Sequence, residues 1–159
     1  MGFTARLVVP GLYGYVSATK WVVELEVTRF HRQTAYWTDR GWDERAPVLV
    51  ASRIDVPQEN QTVSSGDVGI AGVAWAQHVG IETVEVQIDD GDWEEAELAS
   101  EVSIDTWCQW RYVYSDAEPG QHQVQVRATN AEGQTQTAQR QSPIPNAATG
   151  YHRLDFSVD

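Results

Sequence analysis

The sequence predicts a mainly β protein whose larger part is a sandwich of two antiparallel sheets. Three observations predict it. From Val48 onward, about seven short segments alternate apolar and polar residues between Gly, Pro, Asn and Asp turns, the spacing of an immunoglobulin-like sandwich. No segment in that region carries the apolar stripe of an amphipathic helix. A hydrophobic fraction of 42% is enough for a core, and seven tryptophans supply large side chains to fill it.

The first thirty residues are different. Ala5 to Val9 is an apolar run closed by Pro10-Gly11, which reads as a short strand and a turn. Pro10 fixes one φ and removes a donor, and the glycines after it allow close backbone approach. Trp21 to Phe30 sets Trp21, Val23, Leu25 and Val27 on one side against Val22, Glu24, Glu26 and Thr28, the period of a half-buried strand. Arg29 to Pro47 mixes aromatic and basic residues without periodicity. It is expected to be a long connection with one short helical turn, wrapping back over the first segment.

The sandwich strands follow in order. Leu49 to Asp55 is the first, ending before Pro57, and Gln58 to Gly66 is a polar turn. Val68 to Gln77 comes next, rich in small residues. Ile81 to Asp89 alternates strictly, and Asp90-Gly91 turns it into a strand over Trp93 to Leu98, since Asp-Gly tolerates positive φ. Trp107 to Tyr114 and His122 to Ala128 alternate on either side of the Glu118-Pro-Gly-Gln turn. Asn130 to Gly133 turns into a polar edge strand, Gln134 to Gln139, and Tyr151 to Val158 is the last strand. One cysteine excludes the disulfide-bonded version of the fold, so Trp75, Trp107 or Trp110 is expected at the centre.

Charge narrows the function classes. Eleven Lys+Arg against 23 Asp+Glu give a net charge of -12, which argues against a free-standing nucleic-acid binder and disfavours docking on an anionic membrane. No apolar run approaches the ~20 residues of a membrane span, and no signal peptide is legible. Cys108 is expected to be a small buried hydrophobe. His31, His78, His122 and His152 lack metal-ligand spacing, so no metal site is expected. Asp89-Asp90-Gly-Asp92 departs from a calcium loop and reads as a solvated hairpin. Ser103, His78 and Asp105 are not positioned as a triad by the strand order.

Arg6-Leu-Val-Val-Pro-Gly-Leu-Tyr-Gly14, then Ser17-Ala-Thr-Lys20-Trp21, leads into a downstream all-β region. That region contains Gly72-Val-Ala-Trp75, Ile81 to Asp89 with Asp90-Gly91-Asp-Trp93, Trp107-Cys-Gln-Trp110, and Val126-Arg-Ala-Thr-Asn130 with Gly133. Each motif is short, but their order and spacing resemble the C-terminal part of sulfite oxidase-type molybdenum enzymes. The resemblance implies residues 1–47 as the C-terminal remnant of a mixed α/β molybdopterin-binding catalytic domain. It implies residues 48–159 as an immunoglobulin-like dimerisation domain.

The resemblance further implies cofactor contact by Arg6, Ser17 and Lys20, with Thr19 and Tyr13 as lesser candidates. A lysine is a point charge for phosphate, an arginine a five-donor fork, and a serine a short donor. Two departures stand out. Thr4 sits where the family often has proline, and the Gly14-to-Lys20 loop is a residue longer than in animal sulfite oxidases. Whether Ser17 or Thr19 meets the cofactor therefore stays open. No catalytic residue is expected in this stretch, and Cys108 does not match the family's molybdenum-ligating cysteine. The implied parent is a molybdopterin-dependent oxidoreductase of oxygen-atom transfer, homodimeric through the sandwich, and membrane-attached or exported in a bacterium. The isolated stretch is expected to be inactive and to hold no cofactor, with the missing catalytic domain of its own chain as its other partner. The rival reading is a stand-alone sandwich that binds carbohydrate or peptide through exposed tryptophans such as Trp37, Trp42 and Trp93.

Overall fold

Period-two sequence becomes a ladder only where a partner strand accepts it, and that condition separates the two parts of this chain. The computed structural model describes residues 5–159. The Met1-Gly2-Phe3 lead and the Thr4 departure lie outside the described residues. The chain forms two compact units, Met1–Leu49 with Gln141–Ala148, and Val50–Arg140 with Thr149–Asp159.

The second unit is mainly β, built as two sheets. Its strands are β1 (Ala51–Val56), β2 (Thr62–Val63), β3 (Gly66–Trp75), β4 (Ile81–Ile88), β5 (Glu94–Glu95), β6 (Glu97–Leu98), β7 (Cys108–Ala117), β8 (Gly120–Asn130) and β9 (His152–Val158). One sheet has the order β1-β3-β7-β6, the other β2-β9-β8-β4-β5. Pairings are antiparallel except β2 with β9.

Alternation directs one face of each strand inward. Val68, Ile70 and Ala74 of β3 meet Val84 and Val86 of β4, Val124, Val126 and Ala128 of β8, and Leu154, Phe156 and Val158 of β9 in one buried cluster. Each such valine, leucine or phenylalanine contributes about 1.5–3 kcal/mol by leaving water. Trp110 is the tryptophan at the centre, 2% exposed, whereas Trp107 is 57% exposed. Gly72 lies opposite Trp110 in the β3–β7 register. A Cβ at Gly72 would stand 1.9 Å from the Arg53 carbonyl oxygen and 2.8 Å from the Trp110 ring, so only glycine fits. Cys108 is buried as expected, and burial pushes its thiol pKa up.

Several expectations are corrected. The segment Trp93 to Leu98 is not one strand. Glu94–Glu95 pairs with β4 in one sheet and Glu97–Leu98 with β7 in the other. Buried Ala96 sits at the crossing, its N–H bonded to the Val84 carbonyl at 2.8 Å. The polar turn over Gln58 to Gly66 contains β2. Gln134 to Gln139 is not an edge strand; it holds one isolated bridge, Thr129 to Thr135. Gln136 turns inward instead, accepting from Ser52 Oγ at 2.8 Å and donating to the Gly150 carbonyl at 2.9 Å. Two hydrogen bonds satisfy a buried amide better than an exposed edge position would.

In the first unit the Ala5 to Val9 strand is reduced to a bridge at Arg6. The half-buried strand over Trp21 to Phe30 does not form: the segment has no ladder, and Val23 and Val27 are 98% and 97% exposed. Its alternation is real, but among the described residues no strand lies beside it. The connection after it carries the expected short turn, a 3-10 turn at Thr38–Arg40. The end of that connection does fold back, with Tyr13 N–H bonded to the Ala46 carbonyl and Val48 N–H to the Gly11 carbonyl, each at 2.9 Å.

Candidate functional site

The candidate site grows from a loop between two short extended runs. Leu7 N–H donates to the Thr19 carbonyl at 2.9 Å and Val9 N–H to the Ser17 carbonyl at 3.1 Å. Gly11, with φ of 80°, makes the turn that Pro10 begins. A single helical turn, α1 (Gly14–Ser17), then returns the chain to the second run. Tyr15 anchors the loop against Trp42, with ring centroids 4.6 Å apart, and Trp42 lies edge-on to Trp37 at 6.1 Å.

This geometry brings Arg6 and Lys20 together. They are directly opposed in an antiparallel bridge, and both are exposed. Opposed residues of an antiparallel pair share one face with Cβ atoms about 5 Å apart, and like charges there repel. Lys20 is the chain's one lysine, and the chain carries -12 overall. Two cations set side by side on such an acidic chain make a donor set that fits an anion such as a phosphate.

Ser17 is brought near but turned away. It is 3% exposed, and its hydroxyl donates to the Leu12 carbonyl at 2.9 Å, which holds the turn closed. Thr19 lines an open cleft of about 1080 Å³ that also takes in Thr28, Arg29, His31, Tyr36 and Trp37. Arg6, Ser17 and Lys20 do not line that cleft. Arg29 and His31 were missed as cleft residues in the sequence, where nothing but their basic character marked them. The Tyr13 hydroxyl oxygen accepts the Leu49 N–H at 3.3 Å.

Other candidates resolve into structural roles. Among the described residues no group of three or more His, Cys, Asp or Glu is arranged to hold a metal ion. His78 pairs with Asp105 at 2.7 Å on the surface, and Ser103 Oγ accepts the Asp105 N–H at 3.2 Å, a local turn contact. Asp89 caps the hairpin by accepting the Gln123 N–H at 2.8 Å and His122 Nδ1 at 3.0 Å. Trp42 and Trp93 are half-buried, Trp93 under Tyr151 and the Arg127 guanidinium, so neither stands open to solvent as a sugar-stacking platform. No helix among the described residues is long and apolar enough to cross a membrane.

Known proteins agree with the resemblance drawn from the motifs. The family described as the oxidoreductase molybdopterin binding domain matches residues 1–37. Mitochondrial sulfite oxidase from Rattus norvegicus is 34% identical over 119 residues, and that from Mus musculus 33%. Each alignment covers 63% of this chain and 21% of the relative, so the chain spans about a fifth of the curated relatives it matches. The sulfane dehydrogenase SoxCD from Paracoccus pantotrophus superposes with a TM-score of 0.58 at 19% identity, covering 71% of this chain and 33% of that one, which is a likeness of fold. The chain thus resembles the C-terminal, molybdopterin-binding and dimerisation region of a sulfite oxidase-type oxidoreductase.

Proposed function

We propose that this chain is the C-terminal portion of a molybdenum-cofactor oxidoreductase that carries out oxygen-atom transfer. Residues 1–47 end its molybdopterin-binding catalytic domain, and residues 48–159 form an immunoglobulin-like domain that joins two copies. The observation that carries the reading is the Arg6–Lys20 bridge, a paired cation site inside the stretch that matches the molybdopterin-binding family. There Lys20 and Arg6 hold the phosphate end of the cofactor, and Thr19, a cleft-lining residue, supplies the hydroxyl donor that Ser17 commits to Leu12. Bound, the cofactor supplies the two-electron redox chemistry, and this chain's residues bind and orient it.

The exposed side chains of Val23, Leu25 and Val27 support the same reading. In the intact protein they pair with the rest of the catalytic domain. The chain by itself is then inactive and retains no cofactor. The parent is membrane-attached or exported in a bacterium.

The test is made in the intact polypeptide that contains this sequence. Lys20→Met and Arg6→Met are expected to lower molybdopterin content, read as fluorescence of the oxidised pterin, while the circular dichroism of the β region is unchanged. Full cofactor content in the double variant contradicts the assignment.

A further inference from the structure

The second unit contains five arginines and no lysine. Three of them are paired with carboxylates: Arg53 with Asp55, Arg111 with Glu97 and Arg127 with Glu85, each at 2.7 Å. Among the described residues Arg140 and Arg153 form no ion pair. These two line one open pocket of about 260 Å³ on the outer face of the five-stranded sheet, together with Gln87, Gln125, Trp93 and Tyr151. No carboxylate is among its lining residues. Trp93 forms a fixed wall, edge-on to Tyr151 with centroids 5.3 Å apart and 4.2 Å beneath the Arg127 guanidinium.

Local structure holds both arginines at the pocket. Arg153 stands opposite Gln125 in the β8–β9 register. Arg140 belongs to the segment after the Thr129–Thr135 bridge, which side chains rather than a ladder keep in place. Gln136 Nε2 donates to the Gly150 carbonyl at 2.9 Å, and Thr149 Oγ1 to the Gln139 carbonyl at 2.6 Å. Gly150, with φ of 112°, lets the Arg140 stem lie against it, since a Cβ there would stand 2.8 Å from Arg140 Cγ. The hydrogen bonds already made in the pocket decide what it can take. Arg153 Nη2 donates to Gln125 Oε1 at 2.9 Å, Gln125 Nε2 to Gln87 Oε1, and Gln87 Nε2 to the Gly91 carbonyl at 2.6 Å. Both amide oxygens are thus occupied, and the donors left over belong to two guanidiniums, which offer N–H groups and no acceptor. Carboxylates elsewhere on this face are engaged, Glu85 by Arg127 at 2.7 Å and Asp155 by Gln123 at 2.8 Å, and Glu95 lies three strands from Arg153. The chain's charge of -12 repels an anion at long range, but about 0.1 M salt screens that beyond roughly 10 Å, whereas guanidiniums act at contact.

We infer that this pocket binds a small oxyanion carrying two negative charges, held between Arg140 and Arg153. Two cations match two charges, and a volume below the roughly 300 Å³ of drug-sized pockets sets the ligand at the scale of sulfate or inorganic phosphate. NMR titration of the full chain tests it, with sulfate as the probe and chloride at equal ionic strength as the control. Saturable shifts in the millimolar range are expected at the Nε–H of Arg140 and Arg153 and at the Gln125 side-chain amide. Arg140→Gln and Arg153→Gln are each expected to weaken binding about tenfold or more, the loss of a charge-assisted hydrogen bond. Arg111→Gln, on the other sheet, is expected to leave it unchanged. Sulfate binding of unchanged strength in both pocket variants overturns the inference. Shifts that rise linearly with sulfate, or that chloride reproduces, overturn it as charge screening. The Arg6–Lys20 pair lies in the other unit and reports separately, so shifts confined to Arg6 and Lys20 overturn this pocket and leave the cofactor reading standing. Arginine modification by phenylglyoxal gives a readout that needs no variant. Sulfate is expected to slow modification of Arg140 and Arg153 but not of Arg111; equal slowing at all three overturns the pocket.

Discussion

At the residue scale, Ser17 and Thr19 show how a spacing that suggests a ligand divides into two jobs. Both are short hydroxyls before Lys20, and the sequence does not separate them. The fold does, because Ser17 ends α1 facing inward and donates to Leu12, while Thr19 sits on the cleft. Ser17→Ala is therefore expected to destabilise the first unit by about 1–3 kcal/mol, the cost of leaving the Leu12 carbonyl unpartnered. Thr19→Val is expected to spare stability and to lower cofactor retention in the intact protein. Chemical denaturation and pterin fluorescence separate the two outcomes.

Two histidines make a second contrast. His122 has its ring nitrogens 3.0 Å from an Asp89 carboxylate oxygen and 2.9 Å from the Glu118 carbonyl, and both partners only accept. The cation satisfies both, and its pKa is raised above 6.5 first by the Glu118 carbonyl, against opposing burial, and then by Asp89. His152 is the reverse. Its Nδ1 accepts the Ile54 N–H at 3.0 Å, and its pKa is lowered from 6.5, first by burial and then by Arg53.

The signs follow by linkage. Stability from His122 is fully present below pH 6.5 and is lost as pH rises through its raised folded value. Stability from His152 is present above pH 6.5 and is lost as pH falls through its lowered folded value. Together they favour a maximum near pH 6.5. His122→Gln is expected to flatten the alkaline limb of a stability profile and leave the acid limb, which denaturant melts across pH would show.

At the element scale, what was legible was what had a period and a partner. β4, β7, β8 and β9 alternate over seven or more residues, and each appears near its expected place. β2, β5 and β6 are two residues each, too short for any period to mark them. Glu94 to Leu98 crosses between sheets, and the buried Ala96 at the crossing carries no distinguishing signal in the sequence. Gln134 to Gln139 looked like an edge because it is polar, yet Gln136 is drawn inward by Ser52 and Gly150.

Trp110 was among three candidates for the centre, and Gly72 across the ladder selects it. Trp110→Ala is expected to cost about 3–5 kcal/mol in denaturant melts. The segment Trp21 to Phe30 is the opposite case, a strand pattern without a ladder. Amides of Val23 to Val27 are expected to exchange with deuterium at nearly unprotected rates in this chain, while those of β3 and β7 are protected. Slow exchange at Val23 to Val27 would show that the segment has found a partner.

At the scale of the whole molecule, two units carry two kinds of unfinished surface. The first unit exposes an alternating segment and a pair of opposed cations. The second exposes Val113 of β7 and, just before that strand, Trp107. The surface of the first unit is accounted for if the chain serves within a larger molybdenum oxidoreductase whose catalytic domain it completes. The candidate cation pair was legible as residues, since the motif named Arg6 and Lys20. Their direct opposition was not, because it depends on the Leu7–Thr19 and Val9–Ser17 bonds around the turn.

The most direct measurement is the molybdenum content of the polypeptide containing this sequence, purified from the cells that make it and sized in the same preparation. The account predicts molybdenum in that polypeptide, which is then longer than this chain, because the cofactor supplies the redox chemistry and the protein binds and orients it. A polypeptide of this length that sediments intact and carries no molybdenum contradicts it.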